Sequence, residues 1–222
     1  MEAELDTLLE SGNFEAVAKV LDEHELDRAS VTANIDQSDE NANDRWPYSL
    51  HMLGHMVNSD LENARFVWKR APETRRSNDE ELKAVFALLQ SMWNGDYPAT
   101  HHRAAGSAVW SPKLLPMVQY LTAKYRVKTL ELLTAAYTTV SVAHIAACLG
   151  ASEEEAKATA KSVGWELMDA GTGGGGGGEG MFFNVVKPPA EEISLAPLES
   201  LQKLTEYTVH LGDVSGAGDK EA

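Results

Sequence analysis

The sequence predicts a mostly α-helical chain: paired helices in the first half, a small mixed subdomain after them, and one further helix near the end. Three observations carry this. A turn-plus-cap unit recurs through the first half, the apolar period switches from helical to strand-like just after Tyr137, and an amphipathic segment follows the proline pair Pro188-Pro189.

The recurring unit is Gly12-Asn13-Phe14-Glu15-Ala16, Ser59-Asp60-Leu61-Glu62-Asn63-Ala64 and Gly95-Asp96-Tyr97-Pro98-Ala99. Each opens on a turn residue. Asn13, Asp60 or Asp96 then offers a side-chain oxygen to the free N–H groups of a starting helix, and an apolar residue follows to pack against the preceding one. Between the second and third units, Leu82, Val85, Phe86, Leu89, Met92 and Trp93 form one helical stripe, predicting a helix from about Asp79 to Trp93. Helical pairs recurring at roughly 34 to 47 residues are the pattern of tetratricopeptide-like or HEAT-like stacks. Residues 1–111 are therefore read as a helical-repeat region. Within it the Ser-, Asn- and Asp-rich stretch 27–44 reads as a polar loop, because those side chains compete for backbone hydrogen bonds.

From Lys113 to Tyr137 the pattern is helical again (Leu114, Met117, Val118, Leu121, Tyr125, Leu132, Leu133, Ala136). Thr138 to Val142 then reads as a short strand, being rich in β-branched residues. A helix over Val142 to Leu149 stops at Gly150. Ser152 caps another, with Glu153, Glu154 and Glu155 in its first turn and Gly164 as its break. Strands are predicted at Trp165 to Asp169 and Met181 to Val186. Helix, strand, helix, turn, helix, strand, loop, strand is the order of a winged helix, placed at 112–188 with a Gly-rich wing at 171–180. Residues 189–196 read as a linker, 197–212 as a helix, and 213–222 as a frayed tail. In the last helix Leu201, Leu204, Thr208 and Leu211 make a coiled-coil-like seam beside Leu198 and Tyr207, with nothing sequence-local to pack on.

Composition excludes several functions. With 19 Lys and Arg against 34 Asp and Glu, the formal net charge of −15 has the wrong sign for phosphate neutralisation. The winged-helix stretch repeats this bias, with four basic and six acidic residues from Arg126 to Ala170. Nucleic acid is an unpromising partner. The lone cysteine, Cys148, sits in an apolar run and suits a reducing compartment. The opening Met1 to Asp6 is acidic where a targeting peptide is basic, and the most apolar stretch, Leu132 to Leu149, is interrupted by polar residues. The expectation is a soluble intracellular chain with no membrane partner.

No motif meets the demands of catalysis. His51 and His55, four apart on one predicted helix, are spaced like two zinc ligands, but Met52 stands where a metalloprotease carries its Glu, and no third ligand is evident. Helix packing is the favoured reading, and no metal or cofactor is expected. His101 and His102 diverge on a helix and read as surface residues. The run Gly173 to Gly178 lacks the Lys-Ser/Thr of a phosphate loop and leads into a strand, so a flexible wing is favoured. Cys148 has no basic neighbour in sequence to activate it. The cluster Lys69, Arg70, Arg75 and Arg76 is either a docking patch for an acidic partner or, for its first two members, a complement to a helix dipole.

Helical repeats, a non-basic winged helix and a final helix resemble the PCI-domain family of scaffold subunits, found in the proteasome lid, the COP-nine signalosome and translation initiation factor three. The strings Trp46-Pro47-Tyr48, Asn63-Ala64-Arg65-Phe66-Val67-Trp68-Lys69-Arg70-Ala71-Pro72, Trp93-Asn94-Gly95-Asp96-Tyr97 and Leu201 to Leu211 are similar to the signalosome subunit-eight family, in its plant-type form. Arg65, Trp68, Lys69 and Arg70 are its most specific residues. The resemblance implies a non-catalytic scaffold in the assembly that removes a ubiquitin-like modifier from cullins, in nucleus and cytoplasm. It also implies other PCI and MPN subunits as partners, and cullin-RING ligases reached through the complex. The expected contact residues are Trp165, Phe182 and Val185 on the winged-helix sheet, and Leu198, Leu201, Leu204, Tyr207 and Leu211 on the last helix. Alternatives are a sibling scaffold in the proteasome lid or initiation factor three, or a winged-helix regulator that binds nucleic acid.

Overall fold

The computed structural model describes residues 2–32, 46–106, 109–168, 181–186 and 201–209. The elements described in the first half are all helices: α1 (Glu2–Ser11), α2 (Phe14–Thr32), α3 (Tyr48–Val57), α4 (Leu61–Arg70), α5 (Glu73–Asn78), α6 (Glu80–Trp93) and α7 (Tyr97–Ala105). One expectation is corrected here. The polar stretch from Asp27 does not leave the helix at once, since α2 continues to Thr32. The Ser30 hydroxyl donates to the Asp27 carbonyl at 2.7 Å, one turn back, instead of drawing the backbone out of the helix. Residues 33–44 of that stretch lie outside the described residues.

The recurring sequence unit corresponds to one local geometry. At Gly12, Ser59 and Gly95 the backbone takes φ of 73°, 62° and 68°. Each of these residues donates to the carbonyl three back, and the next residue donates to the carbonyl five back. This double bond satisfies helix-end carbonyls and reverses the chain in two residues. Asp60 and Asp96 then accept from Asn63 N and Ala99 N, each at 3.1 Å, starting α4 and α7. Asp79 does the same for α6 through Leu82 N at 3.1 Å.

A first apolar core lies among α1–α4, α6 and the start of α8 (Leu115–Ala136), and includes Val17, Leu21, Met52, Leu53, Leu82, Leu88 and Met117. The predicted stripe on α6 is largely inside, with two changes: Leu88 is buried, whereas Trp93 is 48% exposed. α2 and α3 approach closely because Gly54 faces the Ala18 backbone, where an added Cβ would lie 2.9 Å from Ala18 N.

After α8 come β1 (Thr139–Ser141), α9 (Val142–Leu149), α10 (Glu153–Ser162), β2 (Glu166–Met168) and β3 (Phe182–Asn184). The three strands form an antiparallel sheet in the order β1-β3-β2, with Phe183 opposite both Val140 and Leu167. Ser152 and Glu155 make a reciprocal capping box at the start of α10, as Ser-x-x-Glu before a helix foretells. A second core collects Leu133, Val140, Ile145, Cys148, Leu149, Ala156, Ala160, Trp165, Phe183 and Val185. The two cores share α8: Met117, Val118 and Leu121 line the first, Leu133 the second. The division proposed between residues 111 and 112 therefore does not separate them, and Met1–Val186 form one compact unit. Leu132, placed on the inner stripe from sequence, is 54% exposed, and Leu130 packs inward instead. In the second unit, Lys187–Ala222, residues 201–209 form a helix, here α11. The linker at 189–196, the Gly-rich 171–180 and the tail 213–222 lie outside the described residues. Among the described residues no helix is long and apolar enough to cross a membrane.

Candidate functional site: interaction surfaces and a buried histidine pair

The motif residues on α4 mix support and surface. Trp68 stacks on Phe86 of α6, with ring centroids 4.0 Å apart and planes 10° apart, so it locks α4 to α6. Arg65 lies over the exposed Trp93 ring at 5.5 Å, and Lys69 over Phe66 at 5.5 Å. Lys69 and Arg70 occupy the last turn of α4, where positive charge complements the helix end. The basic cluster is partly neutralised within the chain, because Arg70 pairs with Glu25 at 2.8 Å and Arg75 with Asp79 at 3.1 Å. The helix-end reading of Lys69 and Arg70 fits their position, and two members of the cluster, Arg70 and Arg75, are paired with carboxylates of this chain.

Two expected contact residues on the sheet are corrected. Trp165 is 3% exposed and Val185 6% exposed, so both are core residues. Strand alternation decides this: Phe183 points inward and is fully buried, which turns Val185 inward and Phe182 outward. Phe182 is exposed and stands opposite Met168, also exposed, across the β2–β3 pair. Val186 is also exposed and in phase with Phe182, whereas the exposed Met181 and Leu167 are in phase with the inward Phe183. Sequence reading missed Met168, because its phase is set only by register with β3. On α11, Leu201, Leu204 and Tyr207 are all more than half exposed, as is Val209. Leu198 and Leu211 lie outside the described residues.

The histidines depart most from expectation. His101 is buried, not superficial: its Nε2–H donates to the Cys148 carbonyl at 3.0 Å, tying α7 to the end of α9. Burial lowers its basicity, a hydrogen bond to Cys148 opposes this, and Arg126 lowers it further. Nearby, burial pushes the Tyr125 hydroxyl up to about 12. Arg126 bonds the Leu149 and Gly150 carbonyls at 2.9 and 3.3 Å, so this cation caps α9 and does not project as a phosphate contact. Cys148 does have a basic neighbour, His144 Nε2 at 3.6 Å one turn back, but burial raises the thiol and leaves it unsuited as a nucleophile.

His51 and His55 are both buried and face α2. His51 Nε2 lies 2.9 Å from Asp22 Oδ1, His55 Nε2 lies 3.3 Å from the same oxygen, and the two Nε2 atoms are 3.2 Å apart. The third polar group sought in vain along the sequence is thus Asp22, brought from 29 residues earlier by the Gly54–Ala18 approach. His51 is held less basic than usual, chiefly by burial, with the Asp22 bond opposing. A separate groove of about 350 Å³ beside α1 and α3 is lined by Leu5, Leu9, Tyr48 and Leu114 together with internally paired charges such as Arg75 and Asp79.

A helical array joined through one continuous helix to a small three-stranded unit is consistent with a PCI-type helical domain. Residues 42–175 match the model of the CSN8/PSMD8/EIF3K family, and the chain belongs to that family. It is 29% identical over 203 residues to COP9 signalosome complex subunit 8 of Arabidopsis thaliana, covering 91% of this chain and 94% of that one. It is 32% identical over 165 residues to the subunit of that name from Danio rerio, covering 74% and 81%, respectively. With the Dictyostelium discoideum subunit it shares 25% over 163 residues, covering 73% and 77%.

Proposed function

We propose that this chain is a non-catalytic scaffold subunit of the COP9 signalosome and acts there in the subunit-eight position. The observation that carries the proposal is the match to the Arabidopsis thaliana subunit across 91% of this chain and 94% of the relative. By that reading it serves the removal of a ubiquitin-like modifier from cullins, and so the control of cullin-RING ligases, by holding other subunits in place. Its partners would be PCI and MPN subunits, and its compartments nucleus and cytoplasm.

Two surfaces fit the role. Residues 112–188 would act as a winged-helix subdomain whose apolar rim, Phe182 and Met168 at its centre, meets a neighbouring PCI subunit. Helix α11 would enter a helical bundle shared among subunits, which would cover Leu201, Leu204 and Tyr207, each more than half exposed in the isolated chain. The first-half helices would supply a repeat-like stack for further contacts. The test is affinity purification of the tagged chain from its own cells. Recovery with a cullin-deneddylating assembly supports the proposal, whereas recovery with proteasome-lid or initiation-factor subunits and no deneddylating activity refutes it.

A further inference from the structure

We infer that Asp22, His51 and His55 form a binding site for a divalent transition-metal ion of the zinc class, clipping α2 to α3. The expectation of no metal rested on a missing third ligand, and the fold supplies one.

Three features carry the inference. First, the donor atoms have the right spacing: the edges of the His51 Nε2, His55 Nε2 and Asp22 Oδ1 triangle are 2.9, 3.2 and 3.3 Å. Ligands about 2.0–2.1 Å from a tetrahedral zinc ion stand roughly 3.3 Å from one another. Second, the donor set is borderline-soft imidazole with one carboxylate, suited to zinc-class ions more than to calcium or magnesium, which want oxygen. The histidine side chains are 0% and 6% exposed, whereas Asp22 is 49% exposed, leaving a route for the ion and a place for a water ligand. Third, a carboxylate stands near each outer ring nitrogen: Glu25 Oε2 lies 4.0 Å from His51 Nδ1, and Asp60 Oδ2 lies 4.0 Å from His55 Nδ1. Glu25 is itself held by Arg70 at 2.8 Å. Carboxylates at the far nitrogen orient metal-bound histidines and raise their donor strength.

One contact opposes loading, and it gives the proposal a distinctive test. The Trp46 indole N–H donates to His51 Nδ1 at 3.3 Å, which keeps the ring proton on Nε2, the atom the metal needs. On metal binding that proton moves to Nδ1, the indole bond is lost, and Glu25, 4.0 Å away, accepts it by closing roughly 1 Å. Trp46 therefore tunes affinity downward, and a phenyl ring in its place removes the competing donor while keeping the aromatic packing.

The experiment uses the full-length chain without an affinity tag, stripped with chelator. Zn²⁺ is titrated calorimetrically, and Co²⁺ is followed by the intense visible bands of four-coordinate cobalt. The expected result is saturable binding of one ion per chain, weakened at least about tenfold in both Asp22→Asn and His55→Gln and strengthened in Trp46→Phe. His24→Gln, which alters a histidine paired with Glu4 at 2.9 Å away from the site, leaves binding unchanged. Should His55→Gln fail to fold, the half-exposed Asp22→Asn decides alone. Absence of one-to-one binding, or affinity indifferent to Asp22→Asn, overturns the inference.

Discussion

Replacing Gly150 with alanine sets a methyl group where the His101 ring already sits. A Cβ built there would lie 2.3 Å from His101 Cγ and 2.4 Å from its Cβ, too close to its anchored end to be relieved by rotating the ring tip. The backbone at Gly150 is left-handed, with φ of 57°, which costs a residue bearing a Cβ roughly 1 kcal/mol. Moving His101 also breaks its bond to the Cys148 carbonyl, worth about 1 kcal/mol, and forces the ring off its rotamer at about another 1 kcal/mol. The expected loss is therefore about 3 kcal/mol in urea-induced unfolding followed by circular dichroism. Most of it should disappear when His101→Gly, which removes the clashing Cβ as well as the ring, is introduced too, with a coupling of at least about 1 kcal/mol in the double-mutant cycle. A Gly150→Ala cost near 1 kcal/mol that adds simply to that of His101→Gly would mean only the backbone term is real, refuting the contact argument.

Ser59 holds φ of 62° at the turn where the equivalent positions carry Gly12 and Gly95, so Ser59→Gly should raise stability by about 0.5–1 kcal/mol, measurable as a shift in urea midpoint. His101 is less basic folded than unfolded, so the unfolded chain takes up a proton first as pH falls through about 6.5; stability is full above that value and declines below it. His101→Gln should flatten this acid slope in thermal melts from neutral to mildly acidic pH, and an unchanged slope would count against a titrating His101. On α11, Leu204→Asp with Tyr207→Ala should abolish co-purification with partner subunits while leaving the melting temperature within about 1 °C, given the exposure of both side chains.

The features legible in the sequence were those fixed by local chemistry. Helix starts at Asp60, Asp96 and Ser152 follow from one side chain meeting an N–H three residues on, and each is present; the start near Asp79, legible only from its apolar stripe, is capped in the same way. The mostly helical class follows from their sum. What escaped notice depends on register or long-range approach. Whether Phe182 or Val185 faces outward turns on a one-residue phase in β3, set by pairing with β1 and β2. His101 reads as a surface residue from sequence because its cover, the end of α9, lies 47 residues along the chain. Asp22 could not be paired with His51 without knowing that Gly54 admits the Ala18 backbone. A glycine between two histidines on a helix was the one available signal of a close neighbour there.

Charge and apolar surface are distributed differently over the small three-stranded unit. In this chain the cation best placed at the joint, Arg126, is consumed by the carbonyls of Leu149 and Gly150, and α10 opens on Glu153, Glu154 and Glu155 around its capping box. Both features stabilise helix ends by ordinary dipole and capping terms, so neither needs a partner to explain it. Among the described residues, the same small unit leaves Phe182, Met168 and Val186 between 39% and 52% exposed. Local stability therefore draws on the charged residues, and the exposed apolar ones are the surface that the proposed scaffold role would assign to a neighbouring subunit.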